Sequence, residues 1–379
     1  MQQILSNLPV KTLMKFKCVS KSWESLTHDP SFIKLHQSKS HLQLLAMTYS
    51  LNSISVYTPS EEFKGGKPIL IVKIPWSQVS IFKLINGLFC FVDVVYNMSR
   101  FYNLGTRQTT PWIYTPVPTV TGLLSSKLSS YGFGFDRLTG KYKLLCMWDI
   151  SKGGAGYGKV FGKVDHVCQV LTMGEDEWRT IKEVPPMRPV GGNVYANGSI
   201  YMRNRDDNFF KYPESEVIIA FDLGTEKFRV IPIPDFVINS YMTSEETPFR
   251  RAEYLLEVDD HIAIIDRLTD YTAKLWICND DCLRRTDVKW VEETIVGLPL
   301  KWSRSQCIFF QGVKGRKEII FRALTAKDSV IVYLYDRMRK SFREIVIFDL
   351  SPTNNSFNYG MFNTCDTLLP VEQKEKIED

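Results

Sequence analysis

Two hydrophobic rhythms divide the chain. Over residues 1–41 the apolar side chains recur at three- and four-residue spacing, the period of a helix face. Ile4, Leu5 and Leu8 share one such face. Asn7 and Pro9 end it, and Pro9 suits the first turn of the next helix. Val10, Leu13, Met14 and Phe16 form a second stripe, with Lys11, Lys15 and Lys17 on the other sides. Ser20 is expected to cap a third helix carrying Trp23 and Leu26. Asp29-Pro30 stops it, because the residue before proline is pushed out of helical angles, and Ser31 is expected to cap a short helix over 32–36. Three helices this short cannot bury all these residues among themselves, so some must pack on the rest of the chain or on another protein.

From residue 42 to 369 the rhythm changes to short apolar or alternating runs between turn residues, the mark of an all-β domain. Runs at 42–47, 69–74, 84–95, 142–148, 167–171, 217–221, 261–265, 274–278, 318–321 and 330–335 read as strands. No long amphipathic helix appears there; 236–241 is a short helical or loop insertion and 243–246 an exposed loop. A turn motif recurs. FDRLTGKYKLL (135–145) and FDLGTEKFRVI (221–231) both read aromatic-Asp-x-x-Thr-x-x-aromatic-basic. YNLGTRQTTPW (102–112), LTMGEDEWRTI (171–181) and YDRMRKSFREI (335–345) keep parts of it, and KWVEETI (289–295) is a weak further copy. Asp or Asn caps a tight turn through its side chain, and the chain returns as a strand opening on a large aromatic, so each copy predicts a β-hairpin. The irregular but recurrent spacing suits one four-stranded propeller blade per copy.

Composition adds limits. A chain of 379 residues with 44% hydrophobic and 13% aromatic content has ample material for a packed interior. The net charge of +5 is concentrated: six lysines against Glu24 and Asp29 give residues 1–41 a charge of +4. The β region is thus nearly neutral, which argues against a broad nucleic-acid footprint, whereas the basic head suits an acidic partner surface or a solvated helix face. Eight scattered cysteines fit buried free thiols in a reducing compartment better than a disulfide framework or a metal site. With no signal peptide and no run of eighteen apolar residues, the chain reads as intracellular, in cytoplasm or nucleus, and not membrane-bound. The sequons at Asn97, Asn197 and Asn354 are then chance matches.

Chemistry is sparse. The five histidines have no nucleophile and carboxylate at triad-like positions. Gly153 to Gly158 is glycine-rich but lacks the Lys-Ser/Thr of a phosphate loop, and reads as an inter-strand loop. Asp206-Asp207 and Asp259-Asp260 read as solvated turns. No catalytic residue, cofactor or metal is therefore expected. Loops at one end of a propeller are the usual place for a partner. Candidates are 157–164 with Tyr157, 203–210 with Arg203, Arg205, Phe209 and Phe210, and 241–251, chosen because Arg, Tyr and Phe carry interface energy.

The strings ILSNLPVKTLMKFKCVSKSWESL and DPSFIKLH resemble the F-box of plant F-box proteins over residues 3–36. GFGFDRLTGKYKLL, AFDLGTEKFRVIPIP, NGSIYMRNRD and VLTMGEDEWRTI resemble the F-box-associated domain of the same proteins, over about residues 84–350. The resemblance implies a mainly β chain: a kelch-like β-propeller-type domain (42–369) preceded by a small α-helical F-box (1–41) and followed by a polar tail (370–379). It also implies a substrate receptor of a Skp–cullin–F-box ubiquitin ligase. The F-box would bind a Skp-type adaptor, and through it cullin, and the β domain a protein client. By motif position Ile4, Leu5, Leu8, Pro9, Val10, Leu13, Val19 and Trp23 would pack on the adaptor or hold the helices together; Phe16, Cys18 and Trp23 are equally readable as internal core. The family's F-box begins several residues earlier, with a Leu-Pro and an acidic turn, so the F-box here is expected to be incomplete. The alternative is a stand-alone kelch-like interaction module uncoupled from the ligase. A propeller enzyme is the reading that the missing His/Asp constellation disfavours.

Overall fold

The computed structural model describes residues 2–40, 43–50, 53–57, 70–73, 81–120, 123–152, 155–156, 159–160, 164–175, 177–187, 189–204, 217–234, 255–279, 289–299, 308–313, 317–323, 330–347, 358–365 and 367–371. The helical head consists of α1 (Gln2–Leu5), α2 (Val10–Lys17), α3 (Lys21–His28) and α4 (Pro30–Lys39). Ser20 caps α3 as expected, its Oγ accepting the Ser22 N–H at 3.3 Å. The cap of α4 is different. Asp29 Oδ1, not Ser31, accepts the Phe32 N–H at 2.9 Å, and the Ser31 hydroxyl donates to the same carboxylate. Pro30 takes the first helical position, where its missing N–H costs nothing. One Asp-Pro pair thus ends α3 and starts α4.

The rest is a set of antiparallel sheets. The first holds β1 (Gln43–Ser50), β2 (Ser53–Tyr57) and β3 (Leu70–Lys73). The second holds β4 (Ile81–Ile85), β5 (Leu88–Asp93), β6 (Met98–Asn103) and β7 (Ile113–Tyr114). The third contains β8 (Leu123–Asp136), β9 (Lys141–Lys152), β12 (Val164–Thr172) and β13 (Arg179–Ile181), with the small hairpin β10 (Ala155–Gly156) and β11 (Lys159–Val160) in the link from β9 to β12. The fourth contains β14 (Pro189–Ala196), β15 (Ser199–Asn204), β16 (Val217–Asp222) and β17 (Lys227–Pro232). The fifth has β18 (Leu255–Val258), β19 (His261–Thr269), β20 (Thr272–Asn279) and β21 (Lys289–Val296). The sixth has β22 (Ile308–Val313), β23 (Glu318–Ala323), β24 (Val330–Asp336) and β25 (Ser341–Ile347). The last strand, β26 (Asn358–Thr364), returns to pair with β1 over Gln43↔Thr364 to Tyr49↔Asn358, so the first sheet is completed from the far end of the chain.

Neighbouring first strands lie against one another in the order β26, β4, β8, β14, β18, β22. They line an axis, and among the described residues the sheets radiate from it as six four-stranded blades. The core lies between blades. Leu256, Ile265 and Leu275 of the fifth meet Ile319, Phe321 and Tyr335 of the sixth. Leu145, Met147 and Val170 of the third meet Ile200, Ile219 and Phe221 of the fourth. A blade buried on both faces needs apolar side chains on both, which is why β5 is buried at every position and β16 at all but its last.

The repeated turn motif forms hairpins, as expected. Asp136 Oδ1 accepts the Leu138 N–H at 2.9 Å, Asp222 Oδ1 the Thr225 N–H at 2.6 Å, and Asp336 Oδ1 the Met338 N–H at 2.8 Å. Its irregular spacing now has a cause. The copy at 135–145 joins the first and second strands of its blade, whereas those at 102–112, 171–181, 221–231 and 335–345 join third to fourth. The weak copy at 289–295 is the outermost strand β21 itself. The run 84–95, read as one strand, is a hairpin: Asn86 and Gly87 turn at φ 45° and 83° between Ile85 and Leu88. Asn97 and Asn197 likewise sit at φ 52° and 44°, so their asparagines serve turns.

Candidate functional site

Strand direction alternates within each blade, so the connections fall at two ends. Turns from first to second and from third to fourth strand share one end with the helical head; we call this the head end. Turns from second to third strand and the links between blades share the far end.

In the head, the side chains named from the sequence separate by burial. Leu5, Val10 and Leu13 form an interior with Phe32, Ile33 and Leu368. Leu8 is half-buried beside them, its carbonyl 2.9 Å from His36 Nε2. Trp23 is half-buried against Phe16, ring centroids 4.8 Å apart. Ile4, Pro9 and Val19 are exposed, Ile4 at 71% and Val19 at 74%. Lys11, Lys15, Lys21 and Lys34 are exposed around them, so the free surface of the head is apolar points in a basic field. The three interior residues hold the helices together and are covered by this chain's own atoms.

The propeller's head end is ionic. Arg137, on the β8–β9 turn, reaches Asp260 on the β18–β19 turn at 3.1 Å and donates to Asn197 Oδ1 on the β14–β15 turn between them. Arg337 binds Asp259 at 2.8 Å and Glu293 at 2.9 Å. Asp259-Asp260 is therefore an inter-blade clamp at φ 52° and 65°, not a merely solvated turn. Deeper in, the Lys143 amine sits 2.9 Å from both Asp136 and Glu226, and Arg179 forks onto Glu226. Burial pushes the Asp136 carboxyl up, but hydrogen bonds from Lys143, Thr139 and the Leu138 N–H outweigh it and hold the group below the usual range. Burial acts the same way on Glu226, and Arg179 and Lys143 outweigh it. Nearer the axis, Lys83 donates to the Asn193 carbonyl at 2.6 Å, joining sheets two places apart, and burial pushes its amine down to about 8.

The far end has the opposite character. Of the exposed large apolar side chains among the described residues, nine lie there: Val95, Tyr96, Tyr114, Val117, Val184, Met187, Leu268, Tyr271 and Val296. Leu138 and Met338 are their counterparts at the propeller's head end. The tips are held by ordinary turn chemistry. Buried Asp93 accepts the N–H groups of Val95 and Tyr96 at 2.9 and 3.0 Å. The Tyr271 carbonyl accepts the Leu298 N–H at 2.9 Å. Exposed tyrosines and aliphatics on fixed turns can bury area against a partner at little entropic cost.

Tyr157, Arg205, Phe209, Phe210 and residues 241–251 lie outside the described residues. Arg203 does not belong to a loop: it is in β15, 5% exposed, opposite Val190 and Ile218. The far-end tips went unread in the sequence, although an apolar pair in a turn (Val95-Tyr96 after Asp93, Tyr271 after Asp270) is a usable signal. Val371, read as part of a polar tail, is 1% exposed. Among the described residues no group of three potential metal ligands converges, and no helix is long and apolar enough to cross a membrane.

Comparison with known proteins agrees with this division. Residues 42–368 match the F-box associated beta propeller domain, and residues 1–35 match the F-box domain. An Arabidopsis thaliana protein named for an F-box, At1g47765, is 25% identical over 99% of this chain and 92% of its own length. The F-box protein At4g19940 of the same plant is 24% identical over 91% of this chain and 84% of its own. The F-box/kelch-repeat protein At2g43445 is 28% identical over 60% and 50%. A four-helix head, a blade set closed by the last strand and these matches together place the chain in the family of F-box proteins with an F-box associated beta propeller domain.

Proposed function

We propose that this chain is the substrate-recognition subunit of a Skp–cullin–F-box ubiquitin ligase, its head binding the Skp-type adaptor and the far end of its propeller binding a protein client. The observation that carries the reading is polarity: among the described residues, nine of the propeller's exposed large apolar side chains lie at the end opposite the head, against Leu138 and Met338 at the head end. Such an adaptor needs no catalytic group. It raises the effective concentration of client lysines beside ubiquitin carried by other subunits. On this reading Ile4, Pro9 and Val19 meet the adaptor, with the outer edges of Leu8 and Trp23, and the protein works inside the cell.

The test is calorimetric titration of the purified chain with a Skp-type adaptor, beside Ile4→Asp and Val19→Asp. Binding by the parent and its loss in both variants, with melting unchanged, is the expected result. No binding by the parent sinks the ligase reading and leaves a stand-alone interaction module. Full binding by both variants moves the adaptor surface elsewhere.

A further inference from the structure

The residues that follow β26 belong to neither module's repeat, yet Thr367, Leu368 and Val371 are buried. Gly87, in the β4–β5 turn, has no room for a side chain because the Cys365 carbonyl stands 2.4 Å from where a Cβ would be. Two residues on, Asn103 of β6 donates from one Nδ2 to the carbonyls of both Thr367 (3.0 Å) and Leu369 (2.9 Å), pinning the segment along the second blade. Val371 is buried in the core between the second and third blades. The opposite side of the same segment faces the helices. Leu368 completes the head's interior, and Gln37 Nε2 of α4 donates to Thr367 Oγ1 at 3.0 Å. Leu369 packs against both cores. Beside it, Val10 of α2 sits on Gly105, where an added Cβ would stand 3.0 Å from Val10 Cγ1 and 3.3 Å from the Thr367 carbonyl.

We propose that Thr367–Val371 is a strap that locks the helical head onto the second blade and so fixes which way the head faces relative to the far end. Two modules joined by a short link ordinarily move against each other unless a substantial apolar contact holds them. Here that contact is supplied by a segment continuous with β26, the strand that closes the ring. Ring closure and head orientation are thereby tied to one stretch of chain. The proposal rests on these contacts and not on the identity of any partner.

The test uses the full chain with nitroxide labels on keto amino acids replacing Val19 and Leu138, both exposed and on different modules, and reads their distance distribution by pulsed electron resonance. Two substitutions attack the strap from opposite sides. Leu368→Asp removes its grip on the head. Gly105→Leu, in a propeller turn, pushes Val10 and the strap away while leaving the head's sequence intact. The parent should give one narrow distance, and both variants should lose it, with amides of α2 and α4 still protected from hydrogen exchange. A narrow distance kept by either variant overturns the proposal. Loss of α2 and α4 protection in both variants overturns it too, because the segment would then be needed for the helices to fold and not for their orientation.

Discussion

The two ends of the propeller are built from the same kind of hairpin and carry different side chains. At the head end the turns carry Arg137, Asp259, Asp260 and Arg337, and the charges are spent on one another across blades. At the far end the turns carry Tyr96, Tyr271 and Leu268, and these side chains face outward. An end whose polar groups are satisfied internally offers little to a partner. An end with exposed aromatics on fixed turns offers area. The contrast is testable because it assigns stability to one end and recognition to the other.

The largest effect is expected from Lys143→Met. The amine is the shared partner of Asp136, 1% exposed at its side chain, and of Glu226. Its loss leaves the buried Asp136 carboxylate with hydrogen bonds from Thr139 and Leu138 but no cation, a change of about 3–5 kcal/mol, readable as a lower urea midpoint. A shift like that of a surface substitution would remove the structural role given to the head end. Phe228→Ala should follow. Phe228 is only partly buried but lies 4.8 Å from the Phe221 ring behind the Asp222 turn. We expect about 2 kcal/mol, below the 3–5 of a fully buried Phe.

The third prediction uses pH. The Asp136 and Glu226 carboxyls are held below their ordinary values in the folded state. A depressed carboxylate stabilises the fold at pH above its unfolded pKa, and that stabilisation is lost as pH falls through the folded value. Asp136→Asn should therefore cost about 1.5 kcal/mol near neutrality. The gap from the parent should close as pH drops below about 4. A gap that is constant from neutrality into acid would mean that the carboxylate's charge contributes nothing.

Much of this was legible in the sequence because it depends on local rules. The three- and four-residue spacing gave the helices, and the Asp-x-x-Thr turns gave hairpins, since an Asx turn is made by residues within four positions of each other. What stayed hidden was long-range. Arg137 finds Asp260 only because the ring brings their turns together, and nothing near either residue marks the other. Thr367–Val371 was divided between the β domain and the polar tail because its partners, Asn103 and Gln37, lie more than 260 positions away, as in the 264-residue separation of Asn103 and Thr367. The interior that sorts Leu5, Val10 and Leu13 from exposed Ile4 and Val19 is built by Phe32 and Ile33 within the head and by Leu368 from the far end of the sequence, and no spacing in residues 1–41 encodes that last contact. Arg203 was read into a loop because a charged residue beside a turn signal reads as loop, whereas the structure buries it in β15.

The smallest stability effect is expected at the far end, and there it is the informative one. Tyr271 is 53% exposed on a two-residue turn between β19 and β20, and its backbone, not its ring, carries the bond to Leu298. Tyr271→Ser should therefore change stability by no more than about 0.5 kcal/mol, with an unchanged melting curve. If the far end is where a client docks, the same substitution should weaken client capture in proximity labelling from cells, more so when combined with Leu268→Ser on the same blade. A matched change at the head end, Met338→Ser, removes a similarly exposed apolar tip and should leave capture intact. Equal loss from both would mean that recognition is spread over the propeller. Loss from Met338→Ser alone would reverse the assignment of the two ends, because the ionic end would then be the one that meets the client.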